Sequence, residues 1–343
     1  SCKLANSIKR SFQQTMTKTK LLVAVDSYLP RWDGIARSLS ELLPHMQDLF
    51  EIRLVIPDYP GHRPALDGVS FVPLPLIPFL RFGDLGVPIV FPWVIRKQVD
   101  WADIVWTHTA VSIGGACIRR AYEKQKPIVS FIHSTEWEVY GKGALVANDY
   151  VGRKWLKTAR ERYGHADLLL TPGETTRKEL ENNNFEGPIK VTPLGVSPTR
   201  FFPSPRENRK SHREELGLPA DIPIIGYIGR FSGEKDLGTL IKAHKLLEEK
   251  FNAHLLLVGG EQKHLPAINL SSNVTVVGPT AEPHRYYQAM DIYVLPSLTE
   301  SFSLSLLEAM ACGIPPVTTS AGSAPQIIES GKNGYLFEEK NIS

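Results

Sequence analysis

The chain has 343 residues, 42% apolar and 22% charged, with a formal net charge of +3. That length suits two domains with separate cores; the composition excludes a disordered or fibrous chain, and the small net charge argues against a nucleic-acid partner. Three cysteines, Cys2, Cys117 and Cys312, show neither disulfide nor metal-ligand spacing and read as reduced thiols of a cytoplasmic protein.

Residues 1–19 read as a flexible leader, with Lys3, Lys9, Arg10 and Lys18 but no acid and no apolar segment for a secretory signal. A first domain is expected over 20–202. Its first strand is 20–26 (KLLVAVD), followed by a loop and a helix over 35–46, spaced by Ile35, Leu39, Leu42, Leu43 and Met46. Asp33 reads equally as the cap of that helix. Strands follow at 50–56 and 69–72. Residues 73–93 are rich in proline and apolar residues without periodicity and read as a long loop. Flanked by Arg81, Arg96 and Lys97, it reads either as a packed loop or as an acceptor-side, membrane-surface element. The apolar run 87–95 is interrupted by two prolines and is too short to span a membrane.

Strands at 103–108 (DIVWTH) and 127–133 (PIVSFIH) each end in a histidine, His108 and His133, where a parallel sheet presents its ligand crevice. A basic helix is expected over 148–165, mostly a solvated face, then a strand at 166–171, a helix at 174–182 and a strand at 189–192. The polar, proline-containing 203–213 reads as a linker. A second domain is expected over 214–343, opening with a buried strand at 222–229. Arg230-x4-Lys235 then places two cations at the start of a helix, where anions are favoured, and Asp236 suits the N-cap. A strand at 253–258 runs into Gly259-Gly260, another lies at 274–278, and a short helix at 283–290.

The most informative stretch is 291–320, DIYVLPSLTESFSLSLLEAMACGIPPVTTS. It reads as strand 292–295, loop 296–303, a helix ended by Gly313, and strand 316–319, one unit of a parallel α/β sheet. Glu300 lies in the loop and Glu308 in the helix. Both follow Ser-x-x patterns, from Ser297 and Ser305, so both also match a capping box.

Residues 296–317 resemble P-S-x-x-E-x-F-G-x-x-x-x-E-A-M-A-x-G-x-P-V-V, the signature of retaining nucleotide-sugar glycosyltransferases with the GT-B fold, family 4. Other stretches are similar to that family: residues 27–43 to its first strand-to-helix loop, 103–108 to D-V-V-H-x-H, 127–133 to P-x-V-x-x-x-H, 193–203 to the close of its first domain, 229–236 to G-R-x-x-x-x-K-G, and 321–337 to G-G-x-x-E-x-I-x-x-G-x-N-G-x-L. Departures are Asp33 and Asp236 for glycines, Trp106 for a histidine, Leu194 and Ser197 for Asn and Asp, Ser303 for a glycine and Gln326 for a glutamate. Asp-Gly at 33–34 is shared with members acting on lipid acceptors, among them mannosyltransferases.

The resemblance implies two doubly wound Rossmann-like α/β domains facing a central cleft that closes around the substrates. It implies transfer of a hexose from a GDP- or UDP-sugar to a hydroxyl, including that of a lipid or lipid-linked glycan, with retention and without a metal or other cofactor. Arg230 and Lys235 would hold the pyrophosphate, Glu300 the sugar hydroxyls and Glu308 the ribose, while His133 would contact the sugar. Gly34, Gly259, Thr280, Ser301, Phe302, Ser303 and Leu304 would complete the donor site. A protein at the inner face of a membrane fits this reading. A glycosyltransferase-like partner subunit with impaired chemistry is the alternative, favoured by the departures. A nicotinamide dehydrogenase is not supported, because Gly226-x-x-Gly229 is not G-x-G-x-x-G.

Overall fold

The computed structural model describes residues 18–31, 33–82, 85–134 and 149–342, so nearly all of the expected leader lies outside the described residues. The chain forms two compact units. One runs up to Thr171 and takes in Arg177–Val191; the other comprises Pro172–Thr176 and the chain from Thr192 on.

The first unit contains β1 (Thr19–Ala24), α1 (Gly34–Met46), β2 (Phe50–Pro57), β3 (Val69–Leu74), β4 (Leu76–Phe82), β5 (Leu85–Pro88), α2 (Pro92–Trp101), β6 (Ile104–Thr107), α3 (Ile113–Glu123), β7 (Ile128–Phe131), α4 (Asp149–Tyr163) and β8 (Leu168–Thr171). The helix α5 (Glu174–Asn182) and β9 (Ile189–Val191) follow. Seven strands form a parallel sheet in the order β3-β2-β1-β6-β7-β8-β9. Its strands read as continuous apolar runs because helices cover both faces. Leu22, Ala24, Val55 and Val105 pack against Ile113, Cys117 and Ile118 of α3, all fully buried. Each such Leu, Ile or Val contributes about 1.5–3 kcal/mol relative to exposure.

The second unit contains α6 (Arg209–Glu215), β10 (Ile224–Ile228), α7 (Leu237–Glu248), β11 (His254–Val258), β12 (Val274–Val277), α8 (Pro283–Ala289), β13 (Ile292–Leu295), α9 (Leu304–Ala311), β14 (Pro316–Thr319), α10 (Ala324–Ile327) and β15 (Tyr335–Phe337). Its six strands are parallel, in the order β12-β11-β10-β13-β14-β15. Both sheets are doubly wound. The strand order reverses between β1 and β6 in one and between β10 and β13 in the other, and ligands of such sheets bind beyond the carboxyl ends of the strands at these switch points.

Three expectations need correction. Residues 73–93 are not a structureless loop: β4 and β5 pair antiparallel as a ribbon, and α2 opens at Pro92, whose fixed φ suits a first helical position. Its register shifts between Leu76 and Arg81, which hides the alternation that would announce a strand. The segment 203–213 is not a free linker. Phe201, two residues before it, is buried in the second core, and α6 starts at Arg209, inside it. Asp236 holds the N-cap position of α7, yet its carboxylate accepts from the Thr239 hydroxyl at 2.7 Å and not from a backbone amide; its φ of 44° lies in the left-handed region, which accounts for the glycine usual at that position.

Candidate active site

In the second unit the loops after β10 and β13 meet at the switch point. After Gly229 the chain reaches the exposed Arg230, whose carbonyl accepts from the buried Tyr227 hydroxyl at 2.9 Å. Lys235 follows in the next turn, and its Nζ donates to Glu300 Oε1 at 2.5 Å. Both side chains are largely withdrawn from water, 17% and 12% exposed. The Ser297 hydroxyl donates to the same carboxylate oxygen at 2.9 Å, and the Leu298 amide donates to the Glu234 carbonyl at 2.8 Å. The two loops are thus joined by one backbone bond and one buried ion pair. Arg230 lies 3.6 Å from Glu234 and is 46% exposed.

Neither Ser-x-x-Glu pattern is a capping box. The helix after Glu300 begins at Leu304, and Ser303 caps it, its hydroxyl accepting from the Leu306 amide at 3.3 Å. The serine that replaces the family's glycine therefore has a structural task of its own. Ser301 and Phe302 are half-buried, and Ser303 and Leu304 are buried. Glu308 lies inside α9, 2% exposed, with the Tyr287 hydroxyl 3.0 Å from its Oε2. Thr280, on the loop after β12, accepts from the Glu282 amide at 3.0 Å.

Two glycines hold these loops in place. Gly259 has a φ of 113°, and a Cβ there would lie 2.3 Å from the Gly229 carbonyl oxygen. Gly322, on the loop after β14, has a φ of 60°, and a Cβ there would lie 2.3 Å from the carbonyl oxygen of Glu300. Only glycine allows this approach in this backbone region. Gly322→Ala is expected to displace Glu300 and to destabilise the unit by about 1–3 kcal/mol. Turnover should fall further than the loss of folded protein explains, which parallel activity and urea-melt measurements resolve. The sequence offers Ser297 only as a capping candidate, and Gly322 has no local signal beyond its place at the start of the last matched motif, where this chain reads Ala321-Gly322; its partner, Glu300, is 22 residues earlier.

The first unit presents a different switch point. The Asp26 carboxylate, buried after β1, accepts from the Thr109 hydroxyl and from the amides of Ser112, Ile113 and Gly114 at 3.2, 2.7 and 3.3 Å. Burial pushes this carboxyl up against the pull of those donors. Asp33 caps α1, accepting from the Ala36 amide at 2.9 Å, with Arg31 3.6 Å away. Both helix N-termini are therefore occupied by the chain's own carboxylates. Gly34 is exposed, and a Cβ on it would meet nothing within 4 Å.

At the ends of β6 and β7, His108 Nδ1 and His133 Nε2 lie 2.8 Å apart. His108 is 2% exposed and His133 half-buried, and Phe131 stacks on both rings. Burial lowers the pKa of both, His133 to about 3, and His133 lowers His108 further. The native pair stays neutral while the unfolded chain's histidines protonate at about pH 6.5. Folded values lie below unfolded ones, so the pair's stabilisation is complete above about pH 6.5 and is lost as pH falls. Each ring is expected to remove up to about 1.4 kcal/mol per pH unit over that window. Urea melts at pH 7.5 and 5.5 should show a loss that a His108→Phe, His133→Phe double variant largely lacks.

Among the described residues, no group of three or more His, Cys, Asp or Glu is placed to hold a metal ion, and no helix is long and apolar enough to cross a membrane. Cys117 and Cys312 are buried thiols.

Residues 32–200 match the family described as Glycosyltransferase Family 4, and residues 208–343 match Glycosyl transferases group 1. The chain is 23% identical over 328 residues to a GDP-mannose-dependent alpha-mannosyltransferase of Mycolicibacterium smegmatis, across 93% of this chain and 84% of that one. It is 33% identical over 263 residues to a D-inositol 3-phosphate glycosyltransferase of Xylanimonas cellulosilytica, across 71% of this chain and 61% of that one. In fold it is similar to Anabaena HepE in complex with UDP-glucose, with a TM-score of 0.73 at 19% identity, covering 93% of this chain and 85% of that one. WaaG, a glycosyltransferase involved in lipopolysaccharide biosynthesis, gives a TM-score of 0.71 at 16% identity, covering 93% and 86%.

Proposed function

Because the chain belongs to the group 1, family 4 glycosyltransferases, with a GT-B fold, we propose that it moves a hexose from a nucleoside diphosphate to a hydroxyl acceptor with retention of configuration. The observation that carries this is the Lys235–Glu300 pair beside Arg230 at the second switch point. As the glycosidic bond breaks, negative charge grows on the departing diphosphate. Lys235 and Arg230 stabilise it as charge-assisted donors. Glu300 and Ser297 orient sugar hydroxyls and Glu308 accepts from the ribose; His133 is assigned recognition of the sugar, as the family resemblance implies. Relatives that use GDP-mannose, and a fold relative holding UDP-glucose, support GDP- and UDP-hexoses as first candidates for the donor.

A melting-temperature screen against GDP-mannose, UDP-glucose, UDP-galactose and an ADP-sugar tests this, because a ligand of the native state raises its stability. A shift with one nucleotide sugar, and release of the matching diphosphate on adding acceptor, is expected. Absence of any shift would favour the impaired partner subunit. With two organic cations on the leaving group, turnover is expected to persist in EDTA; complete loss restored only by Mg²⁺ or Mn²⁺ would overturn that point.

We further propose a lipid acceptor at a membrane surface. The support is a pair of exposed apolar features in the first unit: Phe79 and Leu80 on the ribbon beside Arg81, and Trp93 with Arg96 and Lys97 on one face of α2. Aromatic side chains enter the interface while cations meet anionic head groups, at about 1 kcal/mol each. Co-sedimentation with anionic but not neutral liposomes is expected. Equal recovery in both supernatants, with transfer onto a soluble glycan, would exclude it.

A further inference from the structure

His108 and His133 share one hydrogen bond, Nδ1 of the first to Nε2 of the second, at 2.8 Å. Two neutral imidazoles bonded this way have one donor and one acceptor, so each tautomer dictates the other. The remaining nitrogen of His108 decides which arrangement holds. His108 Nε2 is buried and meets no hydrogen-bond partner among the described residues. The Trp106 ring, 4.3 Å away between centroids, offers only an indole N–H, itself buried without an acceptor. Phe131, stacked at 5.8 Å, offers nothing polar. A hydrogen on His108 Nε2 would therefore be a buried donor with no acceptor, a rarer and costlier condition than an unused acceptor. The hydrogen belongs on His108 Nδ1, which donates to His133 Nε2. His133 must then carry its own hydrogen on Nδ1, in a ring that is only half-buried.

We propose that His108 is a positioning residue: it locks His133 into its Nδ1–H tautomer, so that His133 offers a fixed hydrogen-bond donor to a hydroxyl of the transferred sugar. This rests on the reading that His133 recognises the sugar. The lowered pKa of both rings agrees with a neutral pair over the working pH range.

Long-range nitrogen–hydrogen NMR of the ¹⁵N-histidine-labelled full chain, without ligand, reads the tautomer directly. His133 signals are assigned with His133→Phe. His108→Phe keeps a ring but removes the donor, His108→Asn restores an amide donor where Nδ1 stood, and His108→Gln places its amide where Nε2 stood. The native spectrum is expected to show His133 protonated on Nδ1, His108→Phe to release it into a mixture, and His108→Asn to restore it. Acceptor-independent hydrolysis, measured with whichever of GDP-mannose and UDP-glucose raises the melting temperature, should lose about tenfold in kcat in His108→Phe. KM should stay within about twofold, with recovery in His108→Asn but not in His108→Gln. A native His133 protonated on Nε2, or one that keeps Nδ1–H in His108→Phe, overturns the proposal. If His108→Phe does not fold, the native spectrum still decides. Full turnover by His133→Phe would overturn it through its premise, while leaving the spectroscopic result intact.

Discussion

Lys235→Ala is expected to weaken binding of a nucleoside diphosphate about 10- to 100-fold and to lower turnover by about two to three orders of magnitude. A hydrogen bond to a charged group contributes roughly 1.5–3 kcal/mol, and an electrostatic donor to a growing oxyanion about 2.7–4 kcal/mol. A second effect has the same sign. Glu300 is 12% exposed, and loss of its cation at 2.5 Å leaves a nearly buried carboxylate beside an arriving diphosphate. Glu300→Gln separates the two contributions. The amide oxygen still accepts from Ser297, while the Lys235 ammonium is released from its carboxylate. Diphosphate affinity should therefore hold or rise in Glu300→Gln, while turnover falls. Arg230→Ala should cost only severalfold in affinity, because Arg230 is 46% exposed and well screened. Titration calorimetry with GDP and UDP checks the series. Unchanged affinity in an Arg230→Ala, Lys235→Ala double variant would refute the assignment.

That pair was half legible in the sequence. The strand–loop–helix–strand reading of 291–320 matches the structure because it rests on apolar periodicity, with the helix stop at Gly313 marked by a φ of 73°. Both glutamates and both cations could be named as candidates from spacing and resemblance. Their ion pair could not, since Lys235 and Glu300 are 65 residues apart and only the strand order makes β10 and β13 neighbours. Gly322 was unreadable for the same reason, because its restriction comes from Glu300's backbone and not from a local turn. In the first unit, the contact between Asp26 and Thr109, 83 residues apart, is invisible in the sequence. Asp26 looks like the last residue of a strand, yet its carboxylate closes the N-terminus of a helix 87 residues later. The ribbon of β4 and β5 was missed because prolines and a register shift erase period-two alternation.

The composition of 203–213 hides its structure for a different reason: charge in a sequence does not imply exposure. Arg213, at the end of that polar run, is 5% exposed. Its Nε donates to the Ala289 carbonyl at 2.9 Å, and its Nη1 to the carbonyls of Ala220 and Ile222 at 3.1 and 3.2 Å. Its Nη2 donates to Asp291 Oδ2 at 2.6 Å, an oxygen that also takes the Ile224 amide at 2.8 Å. One guanidinium thus ties α6 to the residues that open β10 and β13, the strands whose far ends carry Arg230 and Glu300. Arg213→Ala is expected to destabilise the unit by about 3 kcal/mol, the low end for removing one partner from a buried ion pair, because the Asp291 side chain is 31% exposed. Three carbonyls and one carboxylate oxygen would lose donors together, and Arg209, 2.6 Å from Asp291 Oδ1, would retain only part of the charge balance. Arg213→Lys should recover little, because one ammonium cannot reach the fan of acceptors that a planar fork serves. Lys210→Ala, three residues earlier on the same helix and in the exposed pair with Asp221, is the control and should leave the urea midpoint unchanged. For a unit of this size, 3 kcal/mol corresponds to roughly 6–12 °C in melting temperature. A melt of Arg213→Ala that tracks the Lys210→Ala control would mean that water enters to replace the guanidinium, and that β10 and β13 hold their register without it.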